Sequence, residues 1–275
     1  MNREISVVIL TSRGPRHSYF CRELAGCYQV RGIVVDDRYR AGNRLWNFLK
    51  DHRFNPFRMG RSLLLKRRLA PYEIRDREIE GRFFPQPEKN GIWPSGVSLL
   101  MSRDPNNEAA RDWVRTLAPD VLVVFGTRLI QEPVLSLARF GALNIHTGLS
   151  PFYRGGQCAF WCLYEDDLDH LGVTIHHLSS KIDGGDIIYT AQPELEPGDT
   201  VRSIECKLVR LGTVRMIQAV RELVGGKAPR VPQRGKGRLF LSKMFTLEKR
   251  LALEKKLESG WLSRQLERKK KRVSV

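Results

Sequence analysis

The run Ala142–Gly155 holds two side chains whose spacing suits catalysis. The apolar pair Ala142-Leu143 leads into Asn144-x-His146. Side chains alternate along a strand, so Asn144 and His146 share a face. A Gly/Ser/Pro-rich turn, Thr147–Pro151, follows at once. The pair therefore ends a strand at its carboxyl edge, where open α/β sheets carry their ligands. A carboxamide able to hold an oxyanion stands beside an imidazole able to move a proton, which are two of the three parts of an acyl-transfer site. The third is Asp183, in Ile182-Asp183-Gly184-Gly185-Asp186, between apolar Leu171–Ile175 and Ile187–Tyr189. A loop carboxylate meeting His146 would fix the tautomer of the ring and raise its basicity. Taken singly these signals are common: an isolated Asn-x-His is more often packed or exposed, and Asp-Gly-Gly is a general turn signal. Their combination in order carries the inference.

The elements that must position these residues read as α/β. Strands are expected at Ile5–Leu10, Gln29–Val35, Val121–Phe125 and Ala142–His146, each an apolar run of buried type. Between them lie helical stretches: His17–Ala25, Asn106–Leu117 with apolar residues at helical spacing, and a short Glu132–Leu137. Such alternation implies a mostly parallel, doubly wound sheet with helices on both faces. A further helix is expected from Val201 to Val224, capped by Asp199 or Thr200 and ended by Gly225-Gly226. No Gly-x-Gly-x-x-Gly follows the first strand; Thr11–Pro15 is a strand–helix turn that could equally hold an anion at the helix start.

The 275-residue chain is large enough for a sizeable core and has ordinary apolar and charged content. It contains no apolar run near membrane-spanning length, and its apolar start is too short for a signal peptide. The five cysteines form an odd number without framework spacing, which fits free thiols in a reducing compartment. Cys158 and Cys162 could share a helix face, yet no His or Cys cluster completes a metal site, and no metal is expected. The net charge of +17 is unevenly spread. Residues 226–275 hold 16 Lys and Arg against 4 Glu, and residues 38–77 hold 12 against 3 acidic residues, which leaves the remainder slightly acidic. The expected organisation is a catalytic domain over 1–225, interrupted by a basic helical insertion at 38–100, and a basic amphipathic helical extension over 226–275. In the insertion, Leu45–Leu49, Phe54, Phe57 and Leu63–Leu65 are interleaved with Arg and Lys, while Gly81–Ser95 reads as loop. In the extension, a basic loop at Pro229–Lys236 precedes one amphipathic helix, Thr246–Leu266, and a basic end. The two basic segments, 38–77 and 226–275, are candidates for an anionic surface, membrane or RNA, with a helical lid and a solvated tail as the alternatives.

Asn144-x-His146, the Pro-x-Tyr-Arg-Gly run ending at Gly155, Gly172-Val-Thr174 and Asp183-x-Gly185 together resemble the folate-dependent formyltransferases. This family includes glycinamide ribonucleotide formyltransferase, methionyl-tRNA formyltransferase and the sugar N-formyltransferases. The resemblance is close over about 104–200, including Ala118–Ile130, and looser over 1–36. It implies formyl transfer from N10-formyltetrahydrofolate to an amine, with Asn144, His146 and Asp183 as the catalytic residues. It also implies a folate pocket built from Thr127, Arg128, Leu129 and Ile130, closed by Leu178, Ser179, Ser180, Lys181 and Ile182. His176 and His177 acquire no role from it. In the resembling purine enzyme the loop after the first strand holds a substrate phosphate; here Arg13 replaces a small residue, and that role is not transferred. Many members read His-Pro-Ser-Leu-Leu-Pro where this chain reads His146-Thr-Gly-Leu-Ser-Pro151. The residues after Gly225 read as basic helix rather than the β-barrel appended in the tRNA enzymes. The resulting expectation is a cytoplasmic enzyme, able to lie peripheral to the inner membrane surface, acting on a small-molecule amine. The favoured acceptor is a nucleotide-linked amino sugar. The alternatives are another amine or hydroxylamine (glycinamide ribonucleotide and aminoacyl-tRNA included), formyltetrahydrofolate hydrolysis, and a non-catalytic RNA- or membrane-binding scaffold. A homo-oligomer is left open.

Overall fold

The structure is a computed structural model that describes residues 4–37, 54–86, 93–179, 181–235 and 237–273. Leu45–Leu49 of the insertion, Ser180, and Lys236 of the basic loop lie outside the described residues. A seven-stranded sheet forms the centre: β1 (Ser6–Thr11), β2 (Gln29–Asp36), β3 (Ser98–Ser102), β4 (Val121–Phe125), β5 (Gly141–His146), β7 (Val173–His177) and β8 (Ile187–Ala191), in the order β3-β2-β1-β4-β5-β7-β8. The first five strands are parallel, whereas β7 runs antiparallel to β5 and β8 to β7. A short parallel pair, β6 (Tyr153–Gly155) with β9 (Arg238–Phe240), lies outside this sheet.

The central strands are contiguous apolar runs because both faces of the sheet are covered. Val7 and Ile9 point into one core cluster, and Val8 and Leu10 into the other. At the start of β1 and β4, Asp120 accepts from the Ser6 N–H and hydroxyl at 3.0 and 2.9 Å, and the Asp120 N–H donates to Ser6 Oγ at 3.0 Å. This staple sets the register of the two strands between which the sheet changes direction. Helix α1 (Pro15–Ala25) follows β1 at that switch point. The next described helix, α2 (Pro56–Phe83), precedes β3, and α3 (Glu108–Leu117) is capped by Asn107, whose side chain accepts from the Ala110 N–H at 2.8 Å. Two short helices, α4 (Glu132–Leu135) and α5 (Cys158–Tyr164), flank β5. Helix α6 (Val201–Val224) starts at a Thr200/Ser203 capping box and buries Ile204, Leu208, Gly212, Met216, Val220 and Leu223 at near four-residue intervals.

Three expectations are revised. The segment 38–100 does not lie wholly outside the alternation: Ser98–Ser102 pairs with β2, so the insertion is part of a long crossover between two parallel strands. Its helix runs through Gly81 to Phe83, where loop was expected, and packs on α6 as well as on the helix over Leu247–Glu258. The single helix expected over Thr246–Leu266 is two, α7 (Leu247–Glu258) and α8 (Trp261–Val273), broken at Gly260, whose φ of +74° is left-handed. Leu253, Trp261 and Leu262 join the same core cluster as the sheet. Arg75 of α2 reaches Glu254 of α7 at 2.8 Å, and Arg250 reaches Asp76 at 3.2 Å. No described helix is long and apolar enough to cross a membrane.

Gly212 lets α6 approach the strand that carries Asn144 and His146. A β-carbon there would lie 2.3 Å from Ile145 Cδ1 and 2.8 Å from Val173 Cγ2. Gly212→Val is expected to overpack this contact and lower stability by about 1–3 kcal/mol, which urea denaturation would measure.

Candidate active site

Antiparallel pairing of β5 with β7 sets Asn144 opposite His176 and His146 opposite Thr174. Directly opposed residues share a face, so all four side chains project to one side of the sheet. The loop after β7 returns over them and brings Asp183 into the group. One oxygen of Asp183, Oδ2, accepts from the Gly155 N–H at 2.7 Å and lies 3.4 Å from His146 Nδ1. The other, Oδ1, lies 3.5 Å from Asn144 Nδ2 and 3.6 Å from His176 Nε2. The three residues expected from the sequence thus converge, and His176, given no role there, is a fourth member of the cluster. It is 1% exposed. Its Nδ1–H donates to the His177 carbonyl at 2.8 Å, and its Nε2 lies 3.0 Å from the Asn144 amide nitrogen. That arrangement orients the Asn144 carboxamide. The clue in the sequence was the Ile175-His176 alternation beside Asp183, but its use required the register.

His146 Nε2 donates to the Tyr153 carbonyl at 2.9 Å, while Nδ1 faces Asp183. The ring is therefore held at both ends, by β6 and by the carboxylate. Burial pushes the Asp183 carboxyl up. The His146 ring, His176 and the Gly155 N–H together outweigh burial and hold it well below the usual carboxylate range. Asp183 itself takes a left-handed φ of +46°. Two residues on, a β-carbon at Gly185 would sit 1.8 Å from the His177 carbonyl oxygen. Glycine is needed at 185 because the loop crosses the end of β7 at that distance.

A segment that sequence reading assigned only to a basic loop ties this arrangement together. The Gln233 side-chain amide donates to the carbonyls of Asp183 at 2.8 Å and Gly185 at 2.6 Å. Val231 exchanges backbone hydrogen bonds with Ile187, and β9 pairs with β6. A lone glutamine in a basic stretch gives no signal of such a role.

The cluster opens on a cavity of about 880 Å3 at the switch point between β1 and β4. One end is lined by Val124, Leu129, Ile130, Leu178 and Ile182, with Thr127, Arg128 and Lys181 beside them. Ser179 hydrogen-bonds with the backbone of Lys181 and is not on the cavity wall. The Arg128 side chain is engaged with Asp36 at 3.5 Å and Asp104 at 3.5 Å, so it joins the ends of β2 and β3. Ser12 and Arg13 lie on that side too, where Ser12 Oγ donates to the Gly126 carbonyl at 2.6 Å and Arg13 pairs with Asp37 at 3.2 Å; the other end of the cavity is polar, with Arg16, Arg202 and Glu205 on its wall. There Arg16 and Arg202 pair with Glu205 at 3.1 and 2.8 Å, and with Glu80 of α2 at 3.5 and 3.8 Å. Between the ends stands His17. Burial first, and Arg16 next, push its imidazole down to about 3, so it is neutral near pH 7. Gly126, with φ +69°, has no room for a β-carbon against the His17 ring, which would lie 2.7 Å away. Cys158 is buried beneath the site, and burial followed by the nearby Asp183 pushes its thiol up. Among the described residues no group of His, Cys, Asp and Glu could hold a metal ion.

Comparison with known proteins places this geometry. The chain is 28% identical over 173 residues to a methionyl-tRNA formyltransferase of Macrococcus caseolyticus, covering 62% of this chain and 55% of the relative. It is 30% identical over 165 residues to a methionyl-tRNA formyltransferase of Aromatoleum aromaticum, covering 60% and 52%. The chain thus spans about half the length of the curated relatives it matches. Two solved structures share the fold. A sugar N-formyltransferase from Shewanella sp. superposes with a TM-score of 0.57 at 13% identity, covering 90% of this chain and 86% of that one. Glycinamide ribonucleotide transformylase 1 from Symbiobacterium toebii superposes with a TM-score of 0.54 at 20% identity, covering 85% and 95%. A family model described as formyl transferase matches residues 75–220, more than half of the chain, and this stretch holds Asn144, His146, His176 and Asp183. The chain belongs to the formyl transferase family.

Proposed function

We propose that this chain transfers a formyl group from N10-formyltetrahydrofolate to an amine. The observation that carries the reading is the meeting of Asn144, His146 and Asp183 at the wall of one cavity with an apolar and a polar end. The apolar end, with Leu129, Ile130, Leu178 and Ile182, suits a flat heteroaromatic ring, while backbone groups of the same loops suit the edge of the ring. The polar end suits the acceptor.

Each residue has a task in this reading. The amine nitrogen attacks the formyl carbon, and the bond from that carbon to N10 breaks. The proton lost by the amine is matched by the one gained by N10, so the transfer needs no other co-reactant. Asp183, kept ionised, takes the proton that leaves the amine. The Asn144 amide nitrogen lies 3.0 Å from His176 Nε2 and a loose 3.5 Å from Asp183, and it is placed to donate to the formyl oxygen as charge develops there. His146 lies beside the same carboxylate and stabilises the charged state of the group. The guanidinium groups of Arg16 and Arg202 at the polar end suit an acceptor with hydroxyls and phosphates, and we favour a nucleotide-linked amino sugar in the cytoplasm. Similarity in sequence to methionyl-tRNA formyltransferases makes an aminoacyl-tRNA acceptor the second reading.

The test is release of tetrahydrofolate from N10-formyltetrahydrofolate with a panel of acceptors: nucleotide-linked amino sugars, glycinamide ribonucleotide and methionyl-tRNA. Transfer to one of them supports the reading; release without any amine would assign a hydrolase, and absence of both release and folate binding would overturn it. His146→Ala and Asp183→Asn are each expected to lower turnover by about 10²–10⁴-fold while folate binding persists in a fluorescence titration. Gln233→Leu is expected to act through the Asp183 loop. It should lower kcat about tenfold or more and leave the KM for the formyl donor within about threefold, as read from steady-state kinetics.

A further inference from the structure

Helix α2 turns an apolar face to solvent. Its inward side is marked by Ser62, Leu69 and Asp76, buried at seven-residue intervals. At about 100° per residue the opposite side falls on Phe57, Leu63, Leu64, Pro71 and Ile74. Phe57 is 87% exposed, and Leu63, Leu64 and Ile74 are each at least half exposed. A helix on the outside of a globular protein carries polar residues there. From Pro56 to Tyr72 the helix also holds five basic residues and no acidic one. Arg67 lies within the apolar stripe and Arg68 on its flank, and neither has an ion pair among the described residues.

The chemistry of the face selects its occupant. A second copy of the chain would bring the same arginines against each other, since a twofold contact pairs a patch with itself. A nucleic acid would engage the arginines and leave Phe57 and Leu64 in water. A bilayer containing acidic lipids satisfies both: the apolar side chains enter the acyl boundary while the guanidinium groups meet lipid phosphates. The far half of α2 is fixed to the body of the protein by Arg75 with Glu254, Asp76 with Arg250, and Glu80 with Arg16. The exposed half is therefore a rigidly held ridge. We propose that the outward face of α2 from Phe57 to Ile74 is an interfacial docking surface for an anionic lipid bilayer. The proposal is independent of which acceptor the enzyme uses.

The experiment is co-sedimentation of the full chain with vesicles of equal parts phosphatidylglycerol and phosphatidylcholine, against vesicles of phosphatidylcholine alone. Binding should be about tenfold or more tighter to the anionic vesicles, and it should weaken as salt is raised. The double variant Phe57→Ser/Leu64→Ser should bind them about tenfold less well while its melting temperature stays that of the parent. A Phe57→Trp variant should show a blue-shifted emission when the vesicles are added. Absence of binding, equal binding to neutral vesicles, or unchanged binding by the double variant would overturn the proposal. So would self-association in light scattering that the double variant abolishes, or RNA binding in place of vesicle binding that the double variant retains.

Discussion

The Asp183 carboxylate is the fixed point about which the site is assembled. It is nearly buried, which alone would favour its neutral form. Instead the Gly155 N–H, the His146 and His176 rings and the Asn144 amide all approach its two oxygens. These partners come from three separate parts of the chain: β5, β6 and β7. A charge placed among them has to be met from every side, because an unmet buried charge costs several kcal/mol. The carboxylate therefore ties together elements that the sheet brings near each other without fixing to the last ångström.

Other features of the fold can be traced to this requirement. The two histidines sit on antiparallel neighbours, so their side chains share a face with Asn144. The Asp183 loop needs the left-handed turn at Asp183 and the bare backbone at Gly185 to reach over β7. The same loop is held from above by Gln233, which belongs to the segment after α6. That segment then enters the β6–β9 pair, and Phe240 stacks on Trp161 with ring centres 4.6 Å apart. Hence the stretch that charge and composition mark as a basic extension is also a strap across the site, joined to the core by Leu253, Trp261 and Leu262.

Much of this was legible in the sequence. The strands ending at Phe125 and His146 are short apolar runs, and a buried parallel strand has little other way to be written. Helix α6 carries its cap and its Gly-Gly stop in plain view. Asn144, His146 and Asp183 stood out because their residue types and strand-end positions coincide. His176 did not, because its place opposite Asn144 depends on the register between two strands, and neither strand states it. The break at Gly260 was hidden because Leu257 and Trp261 keep a four-residue spacing across it. Ser98–Ser102 was missed because an edge strand with exposed Leu99 and Met101 lacks the buried run that marked the others.

The account stands on Asp183 being a charged hub, and its protonation can be followed directly. A carbon-13 NMR titration of side-chain carboxyl groups, with the Asp183 resonance assigned by its loss in Asp183→Asn, reports the charge of that one group. The account predicts a midpoint below that of an ordinary aspartate, about 3.9, so that Asp183 stays ionised while exposed carboxylates take up protons. A midpoint at or above the ordinary value would mean that burial outweighs the His146, His176 and Gly155 contacts, and it would contradict the account.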